Sequence, residues 1–158
     1  IDKLVIKNPL MYGYYTDSGE CYKIYQPKQK SYKFIKIDSH LQGLEQIHYT
    51  HDYLVICSSL KDAMCLKSFG FGIDVIAPDS ENTIIKPYII NNMQSKYKKV
   101  LSLLDNDEAG HVGMDKYSKA YNIDGIYLKS EKDLSDAVAK YGPDAVKPKL
   151  FELIKNAI

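Results

Sequence analysis

Leu101-Ser102-Leu103-Leu104-Asp105-Asn106-Asp107-Glu108-Ala109-Gly110 is the stretch on which the fold turns. Its first half continues an almost wholly apolar run, residues 100–104, as expected of a strand covered on both faces. Its second half turns acidic and leads into a helix expected over residues 108–121. Asp105 therefore falls where the strand ends, and Asp107 falls in the strand-to-helix turn. Alternation along the backbone directs both carboxylates to one side. Two unpaired carboxylates held so close would repel and raise each other's pKa. A divalent cation removes that cost, and hard oxygen donors with open water positions suit Mg²⁺ or Mn²⁺. The plainer reading of either aspartate is an N-cap for the following helix. The pair, followed by Ala109-Gly110, favours the metal, and Gly110 lets the helix approach the sheet closely.

Strand and helix alternate on both sides of this stretch. Upstream, residues 53–57 form a continuous apolar run, 60–69 repeat with helical spacing up to Gly70, and 73–77 form a second buried run. A helix is expected over 84–97, with Pro87 near its first turn. Downstream follow a fourth strand at 125–128, a helix at 133–141 and a last helix at 148–158. This order predicts an α/β fold with a doubly wound parallel sheet, whose functional residues gather at the carboxyl ends of strands. The first 50 residues read differently. Asp17-Ser18-Gly19-Glu20 is a hairpin turn signal between two short strands, and a third run covers 32–37. The expected organisation is a β-rich basic subdomain over 1–50, the α/β domain over 51–142 and a helical tail over 143–158.

Composition narrows the classes. The chain has 158 residues, 45% of them hydrophobic, so it can fill a core. No apolar run approaches the roughly 20 residues of a membrane span, and no signal peptide is visible. Cys21, Cys57 and Cys65 are odd in number and lack zinc-ligand spacing; Cys57 and Cys65 read as buried free thiols, which points to a reducing cytoplasm. The chain opens on Ile1 rather than methionine, as an excised piece of a longer protein would. The net charge is +1, and all 21 basic residues are lysines. Phosphate contacts therefore use point charges rather than guanidinium forks.

The segment Leu103-Leu104-Asp105-Asn106-Asp107-Glu108-Ala109-Gly110 resembles the D-x-D-x-A-G motif of Toprim domains, found in primases, topoisomerases and some nucleases. The resemblance spans about residues 51–142 and implies a Toprim-type sheet that makes or breaks phosphodiester bonds. It also implies an E-G-x-x-D motif after the first strand of that region, where this chain reads Ser58-Ser59-Leu60-Lys61-Asp62. Asp62 matches the motif's aspartate and would join Asp105 and Asp107 around the metal. Ser58 and Ser59 stand where the family has glutamate and glycine, and a serine hydroxyl is a poor base near neutral pH. Three readings follow: an inactive site, a substitute acid, or a water-bridged metal. Glu81, after the second strand, is the best substitute, although it also suits a helix N-terminus. Asp133 and Asp136 resemble the acidic segment through which Toprim primases hold a second metal, while Asp133 alone suits a helix cap. Lys61 is a candidate for a nucleoside triphosphate contact or for pairing with the carboxylates.

The N-terminal stretch selects among Toprim proteins. Between Cys21 and Ile37 lie Lys23, Lys28, Lys30, Lys33 and Lys36, no acidic residue, and several aromatics. Lysines neutralise phosphates and aromatic rings stack on bases, which suits a single-stranded template. This segment resembles the basic hairpin of phage primase-helicases, and Gly43-Leu44-Glu45 fits the same scheme. The resemblance implies the RNA-polymerase core of a phage-type DNA primase, with Mg²⁺ or Mn²⁺ as cofactor. Single-stranded DNA template and NTPs would be its partners, with a replicative helicase as a further candidate, in the cytoplasm, the host's if the protein is viral. The rivals are a Toprim nuclease and a catalytically weak, DNA-binding Toprim module.

Overall fold

The Asp17-Ser18-Gly19-Glu20 turn joins β1 (Tyr12–Tyr15) to β2 (Cys21–Tyr25), and β3 (Phe34–Lys36) adds to the other edge of β2. The pairings are antiparallel and fix which side chains share a face. Tyr12 opposes Tyr25, which opposes Phe34; Tyr14 opposes Lys23, which opposes Lys36. Alternation puts these six side chains on one face and Tyr22, Ile24 and Ile35 on the other, where Tyr22 is buried. The computed structural model describes residues 10–80, 84–129 and 131–158. It divides the chain into one unit ending at His40 and a second running from Leu41 to Ile158.

The second unit begins with β4 (Tyr53–Cys57), α1 (Leu60–Ser68), β5 (Asp74–Ile76) and α2 (Pro87–Lys96). It continues through β6 (Lys99–Leu103), α3 (Glu108–Tyr121), β7 (Asp124–Gly125), α4 (Leu134–Tyr141) and α5 (Pro143–Ala157). The strands lie in the order β5-β4-β6-β7, and every neighbouring pair is parallel. The chain thus steps from β4 to β5 on one side and then crosses to β6 on the other. That reversal opens a crevice beyond the carboxyl ends of β4 and β6, the usual ligand position in such sheets.

Both faces of the sheet are covered, which explains the unbroken apolar runs. Val55, Val75, Leu101 and Leu103 pack with Leu66 of α1, Leu134 of α4 and Leu150 of α5. Leu54, Ile56 and Ile76 pack on the opposite face with Ile90 and Met93 of α2 and Tyr117 of α3.

Residues 41–50 belong with this second unit. Gln42 exchanges backbone hydrogen bonds with Ala77 at 2.9 and 3.0 Å, and Ile47 is buried in the core beside α2 and α3. Gly43 has φ +86°, and a Cβ there would lie 2.7 Å from the carbonyl oxygen of Val75. Only glycine serves at this close crossing.

Element boundaries differ from the sequence expectation in three places. α2 starts at Pro87 rather than residue 84, because proline suits the first helical position and the Ile85 N–H is already given to the Tyr117 hydroxyl at 3.1 Å. The fourth strand is the two-residue edge Asp124–Gly125, although Ile126 still donates to the Ser102 carbonyl at 2.7 Å. α5 begins at Pro143, with Pro148 inside it, and buries Val146, Leu150 and Ile154. Cys57 is buried but Cys65 only half-buried, and the three cysteines are free. No helix among the described residues is long and apolar enough to cross a membrane.

Candidate metal centre

The site forms where β4 and β6 end. Ser58 follows β4, and its hydroxyl accepts the Asp105 backbone N–H at 2.8 Å. Ser59 caps α1, its hydroxyl accepting the Asp62 N–H at 3.3 Å. That start turns Asp62 inward, where it is buried. On the other side Asp107 caps α3 by accepting the Gly110 N–H at 2.9 Å. The α3 start lies so close to β6 that a Cβ on Gly110 would overlap the Asp105 carbonyl oxygen. Asp133 caps α4 by accepting the Asp136 N–H at 2.7 Å.

The first turn of α1, the end of β6 and the cap of α4 therefore bring three carboxylates together. One oxygen from each of Asp62, Asp105 and Asp133 lies within 4.8 Å of the other two. Asp62 and Asp105 are buried, Asp133 half-buried. Ser135 lies between two of them: its N–H donates to Asp62 at 3.0 Å, and its hydroxyl is 2.9 Å from Asp62 and 2.8 Å from Asp133. All the donors are oxygens, the set that suits Mg²⁺ or Mn²⁺.

The charges around the trio set their proton affinities. Burial pushes the Asp62 pKa up, with Asp133 adding to the rise, and the hydrogen bonds from Ser59 and Ser135 offset only part of it. Burial also opposes ionisation of Asp133, but the Asp136 N–H, the Ser135 hydroxyl and Lys61 together hold its pKa below the usual carboxylate value. The Gly110 N–H, reinforced by Lys132, holds Asp107 below that value too. Two lysines flank the carboxylates. Lys61 Nζ lies 3.1 Å from Asp133 and 3.7 Å from Asp136. Lys132 Nζ lies 3.3 Å from both Asp105 and Asp107. A single ammonium reaching both carboxylates agrees with their expected common direction.

The predicted residues thus fall into groups. Asp62, Asp105 and Asp133 converge. Asp107 and Asp136 stand outside that trio, with side chains 39% and 56% exposed, each sharing a lysine with a member of it. Lys61 pairs with carboxylates, the second of the roles expected for it. Glu81 lies outside the described residues. In the first unit Lys23 and Lys36 occupy the aromatic face of the sheet, and Lys28 and Lys30 are exposed between β2 and β3. Lys33 Nζ stands 5.8 Å from the Tyr25 ring centroid. Lys132 and Ser135 are the residues the sequence did not single out. Their signal was adjacency, a lysine directly before Asp133 and a hydroxyl between Asp133 and Asp136. His111 is on the surface, its ring 3.0 Å from the Asn106 side-chain oxygen. Beside Asp107 a cleft of about 590 Å³ is lined by Ser58, Leu104, Ala109, Val112 and Lys116.

No protein-family model matches the sequence, and no curated protein matches it. Solved structures do. The Aquifex aeolicus primase, comprising zinc-binding and RNA polymerase domains, superposes with a TM-score of 0.65 at 21% identity, covering 94% of this chain and 40% of that one. The RNA polymerase domain of Mycobacterium tuberculosis primase DnaG gives 0.65 at 16% identity, covering 93% of this chain and 57% of that one. The same domain in complex with double-stranded DNA gives 0.61 at 16%, covering 87% and 51%. This chain spans about half the length of these structures. The parallel four-stranded sheet with its helices, and the small antiparallel sheet before it, have the Toprim-type fold of the RNA polymerase domain of bacterial primases.

Proposed function

We propose that this chain is the core of a DNA primase-type nucleotidyltransferase, making RNA primers from NTPs on single-stranded DNA. The observation that carries the reading is the convergence of Asp62, Asp105 and Asp133 at the switch point of a primase-like sheet. Asp62, Asp105 and Asp133 would hold Mg²⁺ or Mn²⁺, with Asp107 and Asp136 completing the acidic rim. When bound, the metal supplies charge neutralisation to the nucleotide phosphates and lowers the pKa of the attacking 3′-hydroxyl. The chain's own groups do the rest. Ser59 and Ser135 orient Asp62, the Ser58 hydroxyl fixes the Asp105 backbone, and Lys61 and Lys132 neutralise the carboxylates and are placed to meet phosphate. The cleft beside Asp107 has room for a nucleotide, with Lys116 on its wall. Lys23, Lys28, Lys30, Lys33 and Lys36 would hold template phosphates, and a replicative helicase is the partner that would deliver that strand in the cytoplasm.

Ser58 bears on the general base. Its hydroxyl is committed to the Asp105 N–H, so it serves architecture, and another acid must take the base role. Glu81 is our candidate, and Glu81→Gln should abolish synthesis while leaving metal binding intact.

Incorporation of labelled ribonucleotides on single-stranded DNA with Mg²⁺ or Mn²⁺ tests the proposal. The expected result is short oligoribonucleotides that disappear in Asp105→Ala. Shortening of the DNA instead identifies a nuclease, and DNA binding with neither reaction identifies a catalytically weak Toprim module.

A further inference from the structure

Lys147, Phe151 and Lys155 follow one another at intervals of four along α5, so they share one stripe of that helix. Phe151 meets Phe71 at 5.5 Å between ring centroids, and Phe71 meets Phe69 at the same distance. Phe71 and Phe151 form the wall between two adjoining hollows. The first, of about 430 Å³, is closed by Phe69 and Pro148, with Lys147 on its rim. The second, of about 340 Å³, is lined by Tyr53, Ile73 and Ile154, with Lys155 on its rim. Phe151 is 45% exposed between them. No acidic residue lines either hollow. Of the two acids of α5, Asp144 lines neither, and Glu152 faces a different cleft with Leu128 and Tyr141. Among the described residues neither lysine forms an ion pair. The surface lies where β4 and β5 start, at the opposite edge of the sheet from the carboxylate trio.

We propose that this surface docks an acidic peptide segment of a partner protein, with a large apolar side chain in each hollow and a carboxylate on each lysine. An apolar anchor in a socket, ringed by charge of one sign, is a recognition pattern in which the sockets supply affinity and the charges supply selectivity. Eight residues of α5 rise about 12 Å, so the two lysines match acids spaced by about four residues of extended chain. A nucleic acid strand fits less well. Bases stack on open, parallel ring faces, whereas these rings are tilted by 36° and 50° around the hollows. Docking here needs neither the metal nor primer synthesis, so failure of either proposal leaves the other intact.

The test uses the full chain as bait for a random peptide display library, after removal of every clone that also binds Phe151→Ala. Recovered peptides should carry two large apolar residues flanked by Asp or Glu. A synthetic, fluorescein-labelled copy of a recovered peptide should bind the parent saturably by anisotropy. Its affinity should fall at least about tenfold in Phe151→Ala, and by a similar factor in the Lys147→Glu/Lys155→Glu variant, whose exposed positions leave the fold untouched. Added salt should weaken binding to the parent. No enrichment, recovery of peptides without acids, or full affinity in the charge-reversed variant would overturn the proposal. Oligothymidylate binding lost in both variants would instead assign the surface to nucleic acid. A parent dimer in sedimentation that dissociates in Phe151→Ala would assign it to a second copy of this chain, and either result overturns the peptide.

Discussion

The Ser58 hydroxyl accepts the backbone N–H of Asp105 at 2.8 Å, tying the end of β4 to the end of β6. The bond is buried and holds a residue whose carboxylate belongs to the trio. Ser58→Ala leaves that N–H without its partner, a cost of about 1–3 kcal/mol. Urea denaturation should show the loss, and metal affinity should fall with it because the Asp105 backbone is released.

Gly110 is fixed by close approach. A methyl group there would overlap the Asp105 carbonyl, and backbone cannot move aside as a flexible side chain can. Gly110→Ala should cost at least about 2 kcal/mol, measured as a lower urea midpoint. A neutral effect would mean that α3 starts further from β6 than described.

Asp62 carries a stability cost when it is ionised in the folded chain. Burial raises its pKa in the folded chain, so the folded state holds the proton more tightly than the unfolded state. That advantage is complete below the unfolded pKa and is lost as pH rises through the folded one. In EDTA at neutral pH, Asp62→Asn should therefore melt above the parent, and the difference should close below about pH 4. With saturating Mg²⁺ the parent should gain stability and the variant should not.

Lys132 occupies the position of a counter-ion, 3.3 Å from both Asp105 and Asp107. Its ammonium is half-exposed, so the pairing is worth no more than about 1 kcal/mol. Lys132→Gln should tighten Mg²⁺ binding by up to about fivefold at low salt, an effect that shrinks as ionic strength rises. Unchanged affinity would place the ammonium elsewhere in solution.

Much of this was legible in the sequence because burial on both faces leaves unbroken apolar runs at β4, β5 and β6. The Asp105–Asp107 pair was legible because both flank a strand end. What the linear order concealed was partnership. Asp133 joins Asp62 and Asp105 only because α4 returns against α1, and Asp107 turns its carboxylate to its own helix as well as to Lys132. Residues 41–50 looked like part of the β-rich segment because their attachment is a bridge between Gln42 and Ala77, 35 residues away. The aromatic face of the first sheet depended on register across three strands, which a bulge between Tyr14 and Tyr15 adjusts.

In the proposed function Asp62, Asp105 and Asp133 form one divalent metal site. Calorimetric titration of Mn²⁺ into the parent and into Asp105→Ala distinguishes such a site from three separate carboxylates. We predict saturable binding by the parent and a loss of at least about tenfold in affinity in the variant. Equal binding by the two proteins would mean that Asp105 holds no metal.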